Sequence, residues 1–295
     1  MTTTTRQEYE KSLKSLETEN FLDRNFYRPI AFRIAWILRN TGITPNLVTI
    51  ISIFIGITGG ILFYPQNIWI NLTGVFLLIF ANLLDCVDGQ LARLTGIKSP
   101  IGRILDGVAG NLWFIAIYAS MALRLSHQYG NYWFFAAAAL AGLSNLLQAN
   151  ITDYYKTLHL YFISKSKGAE FTSLEKISDQ HQQTKRGISK ALYFLYLWYS
   201  RLQIETTPQL QKMLKHLHNQ YGEDFPEDLR LRFRAQSKKQ MPLIDSFSFN
   251  GRSIVLFLSV LSGYIWVDFI YEIVVLNIVL WIAIRKHEKM CKEFI

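Results

Sequence analysis

Two runs of this chain, residues 44–64 and 68–84, contain no charged side chain, and only a Pro-Gln-Asn turn separates them. Each approaches the length of about 20 residues that an apolar helix needs to cross roughly 30 Å of hydrocarbon. Further apolar blocks follow at 100–125, 133–150 and 253–284, with the charges gathered between them. Backbone in lipid must satisfy its own hydrogen bonds, and at these lengths helices do so. The expected fold is therefore all-α, a polytopic membrane helical bundle with about six transmembrane helices plus an N-terminal interfacial helix. The net charge of +9 then reads as loops facing anionic lipid headgroups. No apolar h-region precedes the first span, which is expected to act as the targeting segment. The two cysteines, Cys86 and Cys291, lie far apart; neither a disulfide nor zinc-site spacing is expected of that pair.

Residues 1–20 are polar and are expected to form a frayed or solvent-facing helix. Phe26, Ile30, Ile34 and Ile37 then recur at helical spacing, interleaved with Arg24, Arg28, Arg33 and Arg39. That pattern suits a basic amphipathic helix in the membrane interface, with Pro29 as a possible kink. Thr44-Pro45-Asn46 reads as a helix start, Thr44 as N-cap and Pro45 in the first turn. The last apolar block is long for one span and short for two, and Asp268 near its middle suggests a tight hairpin.

Arginine and lysine collect before span one, between spans two and three, after span four and in the tail. Six spans with both termini and the active site facing the cytoplasm satisfy every cluster. The expected organisation is a polar and amphipathic segment over 1–43 and spans one to four over 44–155. A cytoplasmic or interfacial helical insertion covers 156–250, and spans five and six with a basic tail cover 251–295.

Asp85 and Asp88 stand three apart at the end of the second span, on one helix face, with Gly89, Ala92 and Arg93 following. Asp106 falls about one turn into the third span, near the same boundary. Carboxylates at that depth need cations, protonation or a wet cavity. An oxygen-only set favours Mg²⁺, Mn²⁺ or Ca²⁺ over zinc, and Mg²⁺ sites of this kind also take substrate phosphate. Gly89 leaves room for a ligand, Ala92 keeps the face shallow, and Arg93 offers a fork for phosphate oxygens. The plainer reading is two aspartates ending a helix at the water boundary, paired with Arg93 and Arg103. The third aspartate and the Gly, Ala and Arg at these offsets weigh against it.

Asp85, Asp88, Gly89, Ala92, Arg93, Gly102 and Asp106 match in type and spacing a motif that resembles the CDP-alcohol phosphatidyltransferase family. The resemblance implies a phospholipid-biosynthesis transferase that moves a phosphatidyl-type group from a CDP-linked lipid to an alcohol acceptor, releasing CMP. It implies Mg²⁺ or Mn²⁺ held by Asp85, Asp88 and Asp106, with Gly89, Ala92, Arg93 and Gly102 at the substrate. One position departs: the last motif aspartate falls at residue 110, where this chain has Gly110. In the family that residue is a metal ligand and the proposed general base. Asn111 would point about 100° away around the helix and is a poor substitute. Asp153, at the end of span four, is the candidate replacement. The acceptor's own phosphate is another proton acceptor, and an anionic nucleophile would need none.

The partners expected are the CDP-lipid, a small alcohol or polyol phosphate, membrane lipids and a second copy of the chain, with no nucleic acid. The alternatives are a catalytically silent lipid-binding or scaffold member of the family, or a polyprenyl transferase, which normally needs a second aspartate-rich motif. His159, His181, His216, His218 and His287 read as solvated or capping residues. The basic patch at Lys185, Arg186, Arg230, Arg232, Arg234, Lys238 and Lys239 reads as contacting anionic lipid.

Overall fold

A computed structural model describes residues 3–97, 100–163, 197, 200–222 and 224–295. All regular structure among these residues is helical, as expected. The chain opens with α1 (Thr3–Ser12), and a π turn (Asp23–Tyr27) leads into α2 (Arg28–Leu38). Short polar side chains then start the two charge-free helices. Thr44 accepts a hydrogen bond from Leu47 N at 3.4 Å to cap α3 (Pro45–Ile61), with Pro45 in its first turn. Asn67 Oδ1 accepts from Trp69 N at 2.9 Å and Ile70 N at 3.2 Å to cap α4 (Ile68–Thr95). Gly96, with φ 72°, ends α4 in the left-handed conformation that glycine adopts at least cost. The helices α5 (Pro100–Tyr129) and α6 (Trp133–Ile163) follow.

Residues 1–146 and 246–277 form one compact unit, and residues 147–245 and 278–295 form a second. In the first unit α3 lies against both α4 and α5. Small residues permit that approach. A methyl on Gly59 would come within 2.9 Å of Gly74 O, and one on Gly60 within 2.9 Å of Ile117 N. The partners there are backbone atoms, which cannot swing aside. Gly60→Val is therefore expected to destabilise the chain by about 1–3 kcal/mol, read as a lowered midpoint of thermal unfolding in detergent. Leu78, Ile117, Met121, Leu256 and Val260 fill the core around this contact.

The basic helix α2 packs on its neighbours through one face. Its small residues Ala31 and Ala35 are buried with Tyr27 against Val87 and Leu91 of α4, whereas Phe26 and Ile37 are exposed. Phe26 and Ile37 thus face outward, where lipid would meet them, while Phe32 is buried. Pro29 sits in the first turn of α2 and the irregularity falls before it, in the π turn. The N-terminal segment is not frayed either. Ser12, Leu13, Ser15, Thr18 and Asn20 are buried, Glu8 pairs with Arg39 at 3.1 Å, and Tyr9 meets Phe32 edge-on.

The last apolar block turns earlier than expected. The break between α10 (Phe249–Ser262) and α11 (Trp266–Ile270) falls at Gly263, φ 83°, and not at Asp268, which is buried within α11. (The short helices α7 to α9 are given below.) A π turn at Tyr271–Val275 carries the chain on into α12 (Leu276–Cys291). This leaves Glu272 facing Arg252 of α10. Arg252 Nη1 donates to Glu272 Oε1 at 2.5 Å, and its Nε and Nη2 donate to Phe247 O at 3.1 and 2.8 Å.

Four helices among the described residues are long and apolar enough to cross a membrane: Ile68–Thr95, Gly107–Tyr129, Trp133–Ile163 and Trp266–Phe294. A pair bent by 48°, Met241–Phe247 with Phe249–Ser262, makes a fifth if it is one span, and Pro45–Ile61 is a shorter apolar helix. Phe54, Phe76, Ile115 and Leu258 are exposed on these helices. Such outward apolar side chains mark a multi-pass membrane protein. The count of six is not reached on these criteria.

In the second unit α7 (Pro208–Tyr221) buries Leu210, Met213, Leu214 and Leu217 on one face. It is followed by α8 (Glu227–Lys238) and α9 (Met241–Ile244). α6 does not stop at Asn150 but runs on through Ile163, and Tyr155, Leu158 and Phe162 of this extension are buried. Lys156 pairs with Asp245 at 2.7 Å, and Arg230 donates to Phe162 O at 3.2 Å, capping the end of α6. Arg230 is thus engaged in capping α6. Lys185, Arg186 and His181 lie outside the described residues.

Candidate functional site

The carboxylate motif occupies the last three turns of α4 and the first turns of α5, both in the first unit. Asp88 is only 3 % exposed, and its Oδ2 accepts a hydrogen bond of 2.6 Å from Thr49 Oγ1 on α3. Thr49 Oγ1 also lies 3.1 Å from Pro45 O, one turn back in its own helix. Asp85, one turn before Asp88 on the same face, is half-buried. Thr49 was not singled out from the sequence. Its one readable sign was a hydroxyl placed a turn inside the Thr44-Pro45-Asn46 helix start.

Arg93 is held from two sides. Its Nε donates to the backbone oxygen of Ser12, and its guanidinium folds back over Gly89, where a β-carbon would lie 3.2 Å from Nη2. Gln90, fully buried, donates from Nε2 to Ser12 Oγ at 3.2 Å. The N-terminal segment is thus a wall of the motif region, packed on the helix that carries the aspartates. The space that Gly89 leaves is occupied by Arg93. Ala92 and Gly102 are half-buried.

Asp106 stands in the second turn of α5. Contacts between α3 and α5 fix its level. A methyl on Gly56 would meet the Trp113 indole at 2.3 Å, and one on Gly60 meets Ile117, so the two helices run parallel in constant register. Two turns back along both, residue 106 comes level with Thr49, the residue that holds Asp88. The backbone therefore brings Asp85, Asp88 and Asp106 to one depth on two helices that flank α3.

Gly110 lies one turn deeper on α5. No heavy atom among the described residues comes within 4 Å of a β-carbon built there. Asn111 does not turn toward that space: its Nδ2 donates to Gly107 O of its own helix at 3.1 Å. Asp153 is exposed on α6 and belongs to the second unit.

The histidine reading needs correction. His216 is exposed and His218 bonds Leu214 O in its own helix, as expected, but His159 and His287 are buried. His159 Nδ1 pairs with Ser237 Oγ at 2.6 Å, and His287 stacks on Tyr155 at 3.8 Å. Both lie on helix faces that tertiary packing closes, which side-chain type alone does not reveal. Cys86 and Cys291 are buried free thiols.

The helices are those of a multi-pass membrane protein, and the backbone sets the three motif aspartates at one level on two of them. Residues 42–176, a little under half of the chain, match the model of the CDP-alcohol phosphatidyltransferase family. It is 41 % identical over 91 residues to an archaetidylinositol phosphate synthase of Pyrococcus horikoshii, covering 31 % of this chain and 47 % of the relative. It is 31 % identical over 96 residues to a CDP-diacylglycerol–glycerol-3-phosphate 3-phosphatidyltransferase of Pseudomonas fluorescens, covering 32 % and 47 %. A phosphatidylinositol phosphate synthase of Mycobacterium bovis is 30 % identical over 108 residues, covering 33 % and 49 %. In each case the match spans about half the length of the relative.

Proposed function

We propose that this chain transfers a phosphatidyl-type group from a CDP-linked lipid to an alcohol acceptor, releasing CMP. The observation that carries this reading is the level register of Asp85, Asp88 and Asp106 inside the segment that matches the family. The names of the relatives, an archaetidylinositol phosphate synthase, a phosphatidylinositol phosphate synthase and a glycerol-3-phosphate phosphatidyltransferase, support a phosphorylated polyol as acceptor.

The donor set fits a divalent metal of the Mg²⁺ or Mn²⁺ kind: all oxygen, with a buried carboxylate at Asp88 fixed by a neutral hydroxyl. Asp85, Asp88 and Asp106 would hold it. Such an ion, when bound, neutralises charge on the pyrophosphate of the donor. Arg93 adds positive field at the phosphate oxygens, its Nε fixed by Ser12 so that the two Nη groups are preoriented. The acceptor oxygen attacks the phosphorus attached to the lipid, the bond from that phosphorus to the bridging oxygen breaks, and CMP leaves with that oxygen. The acceptor proton passes to the acceptor's own phosphate, because position 110 offers no carboxylate.

Pro45–Ile61 and the bent pair complete six spans, with both termini and the motif on the cytoplasmic side, in keeping with the arginine and lysine distribution. The working form is a homodimer.

The test is CMP release by purified chain given labelled CDP-diacylglycerol, Mg²⁺ and a panel of free and phosphorylated polyols. Asp85→Asn is expected to lower release by roughly 10²-fold or more while the chain remains folded. Donor binding with no release from any acceptor would instead favour the silent family member that Gly110 suggests. Deleting residues 1–12 is expected to raise KM for the CDP-lipid several-fold while leaving Mg²⁺ dependence unchanged, since it frees Arg93 without touching the aspartates. An unchanged KM would count against the role given to Ser12.

A further inference from the structure

The second unit holds a cluster that the transferase reading does not use. His287, Glu288 and Cys291 lie within five residues of α12, and one ligand atom from each falls within 4.8 Å of the others. His287 Nδ1 and Cys291 Sγ, one helical turn apart, are separated by 3.5 Å. Zinc bonds of about 2.3 Å to sulfur and about 2.0 Å to nitrogen, at the tetrahedral angle, put those atoms about 3.6 Å apart. Both side chains are buried, Cys291 at 0 % and His287 at 1 % exposure.

Glu288 is also fixed. Its Oε2 accepts from Gln209 N at 2.6 Å and its Oε1 from Leu210 N at 3.2 Å, across the first turn of α7. Each oxygen keeps a further lone pair for a cation. An independent sign comes from Tyr155. Its ring lies flat on His287, at 3.8 Å and 7°, and its buried hydroxyl has no hydrogen-bond partner among the described residues. Buried polar atoms of that kind call for a ligand or water.

We propose that His287, Glu288 and Cys291 bind zinc, the fourth position going to the Tyr155 hydroxyl or a water it holds. The charges balance: a thiolate and a carboxylate offset Zn²⁺, and a neutral imidazole adds nothing, so the buried site is neutral as a whole. The basic residues around it, Arg285, Lys286, Lys289 and Lys292, are all exposed. Binding releases the thiol proton of Cys291 to solvent and changes no oxidation state. The metal joins α12 to the start of α7 through Glu288, closing a polar gap in the second unit. The oxygen-donor centre of the first unit calls for a harder ion, so the two sites differ in kind.

The test uses the full chain, purified in detergent, stripped with chelator and titrated with Co²⁺. One equivalent is expected to produce thiolate-to-cobalt charge-transfer absorption in the near ultraviolet, displaced by Zn²⁺. Aspartate-only sites give no such band, so the result is independent of the transferase reading. Cys86→Ser should keep the band and Cys291→Ser should lose it. Should Cys291→Ser fail to fold, mass spectrometry of alkylated wild-type chain decides: Zn²⁺ should protect Cys291 and leave Cys86 unchanged. No band in the wild-type chain, a band that persists in Cys291→Ser or vanishes in Cys86→Ser, or equal alkylation with and without Zn²⁺ would overturn the proposal.

Discussion

Gly110→Asp is expected to raise the rate of CMP release by roughly 10²-fold, the lower end of what a positioned general base contributes. The space for it exists. Among the described residues nothing lies within 4 Å of a β-carbon at that position, and Gly110 is not among the glycines with positive φ. It sits one turn beyond Asp106, where the family pattern has its last aspartate. Gly110→Asn is the control: similar in size, it neither takes up a proton nor adds charge. A rate unchanged by both substitutions would mean that proton removal from the acceptor does not limit turnover. A gain with both would point to packing of α5, since any ordinary side chain favours helix over glycine by up to about 1 kcal/mol.

The second large effect concerns stability. Glu272→Ala is expected to cost about 3–5 kcal/mol, because it removes the carboxylate bonded directly to the buried Arg252 guanidinium. Phe247 O would still accept two of its hydrogen bonds, but a carbonyl does not neutralise a cation. Glu272→Gln, which keeps an acceptor, should cost less. Replacing both partners, Arg252→Met with Glu272→Leu, should recover much of the loss, since apolar groups need no compensation there. Thermal unfolding in detergent, followed by tryptophan fluorescence, reads all three. A Glu272→Ala chain as stable as wild type would show that solvent reaches the pair.

Local chemistry was legible where it acts within one or two turns of helix. Thr44-Pro45 announced the start of α3, and the charge-free runs announced apolar helices. The motif spacing announced the resemblance that the family match later bore out. Long-range packing of polar segments left weaker traces. Residues 1–20 read as solvent-facing because their composition is polar, yet Ser12 is fully buried against Gln90 and Arg93. Hydrogen bonds satisfied across the fold cost little to bury, and periodicity does not register them. The same holds for His159, whose partner Ser237 lies far along the chain. The hairpin in the last apolar block was misplaced for a different reason. A charge at Asp268 suggests a turn there, whereas backbone freedom places it at Gly263. The proximity of His287, Glu288 and Cys291 is local, one helical turn, yet a cysteine paired only with the distant Cys86 gives no sign of it.

The length of α4 has its own consequence for kinetics. Its 28 residues extend about 42 Å, whereas a bilayer's hydrocarbon measures roughly 30 Å. About 20 residues from Ile68 fill that thickness, so the turn bearing Asp88 emerges among the lipid headgroups. A donor lipid can therefore present its pyrophosphate while its acyl chains stay embedded. Under the proposed transfer, encounter with the donor is then diffusion in a plane. The rate should follow the mole fraction of donor in the bilayer and fall on surface dilution with inert lipid, even when the bulk concentration is held constant.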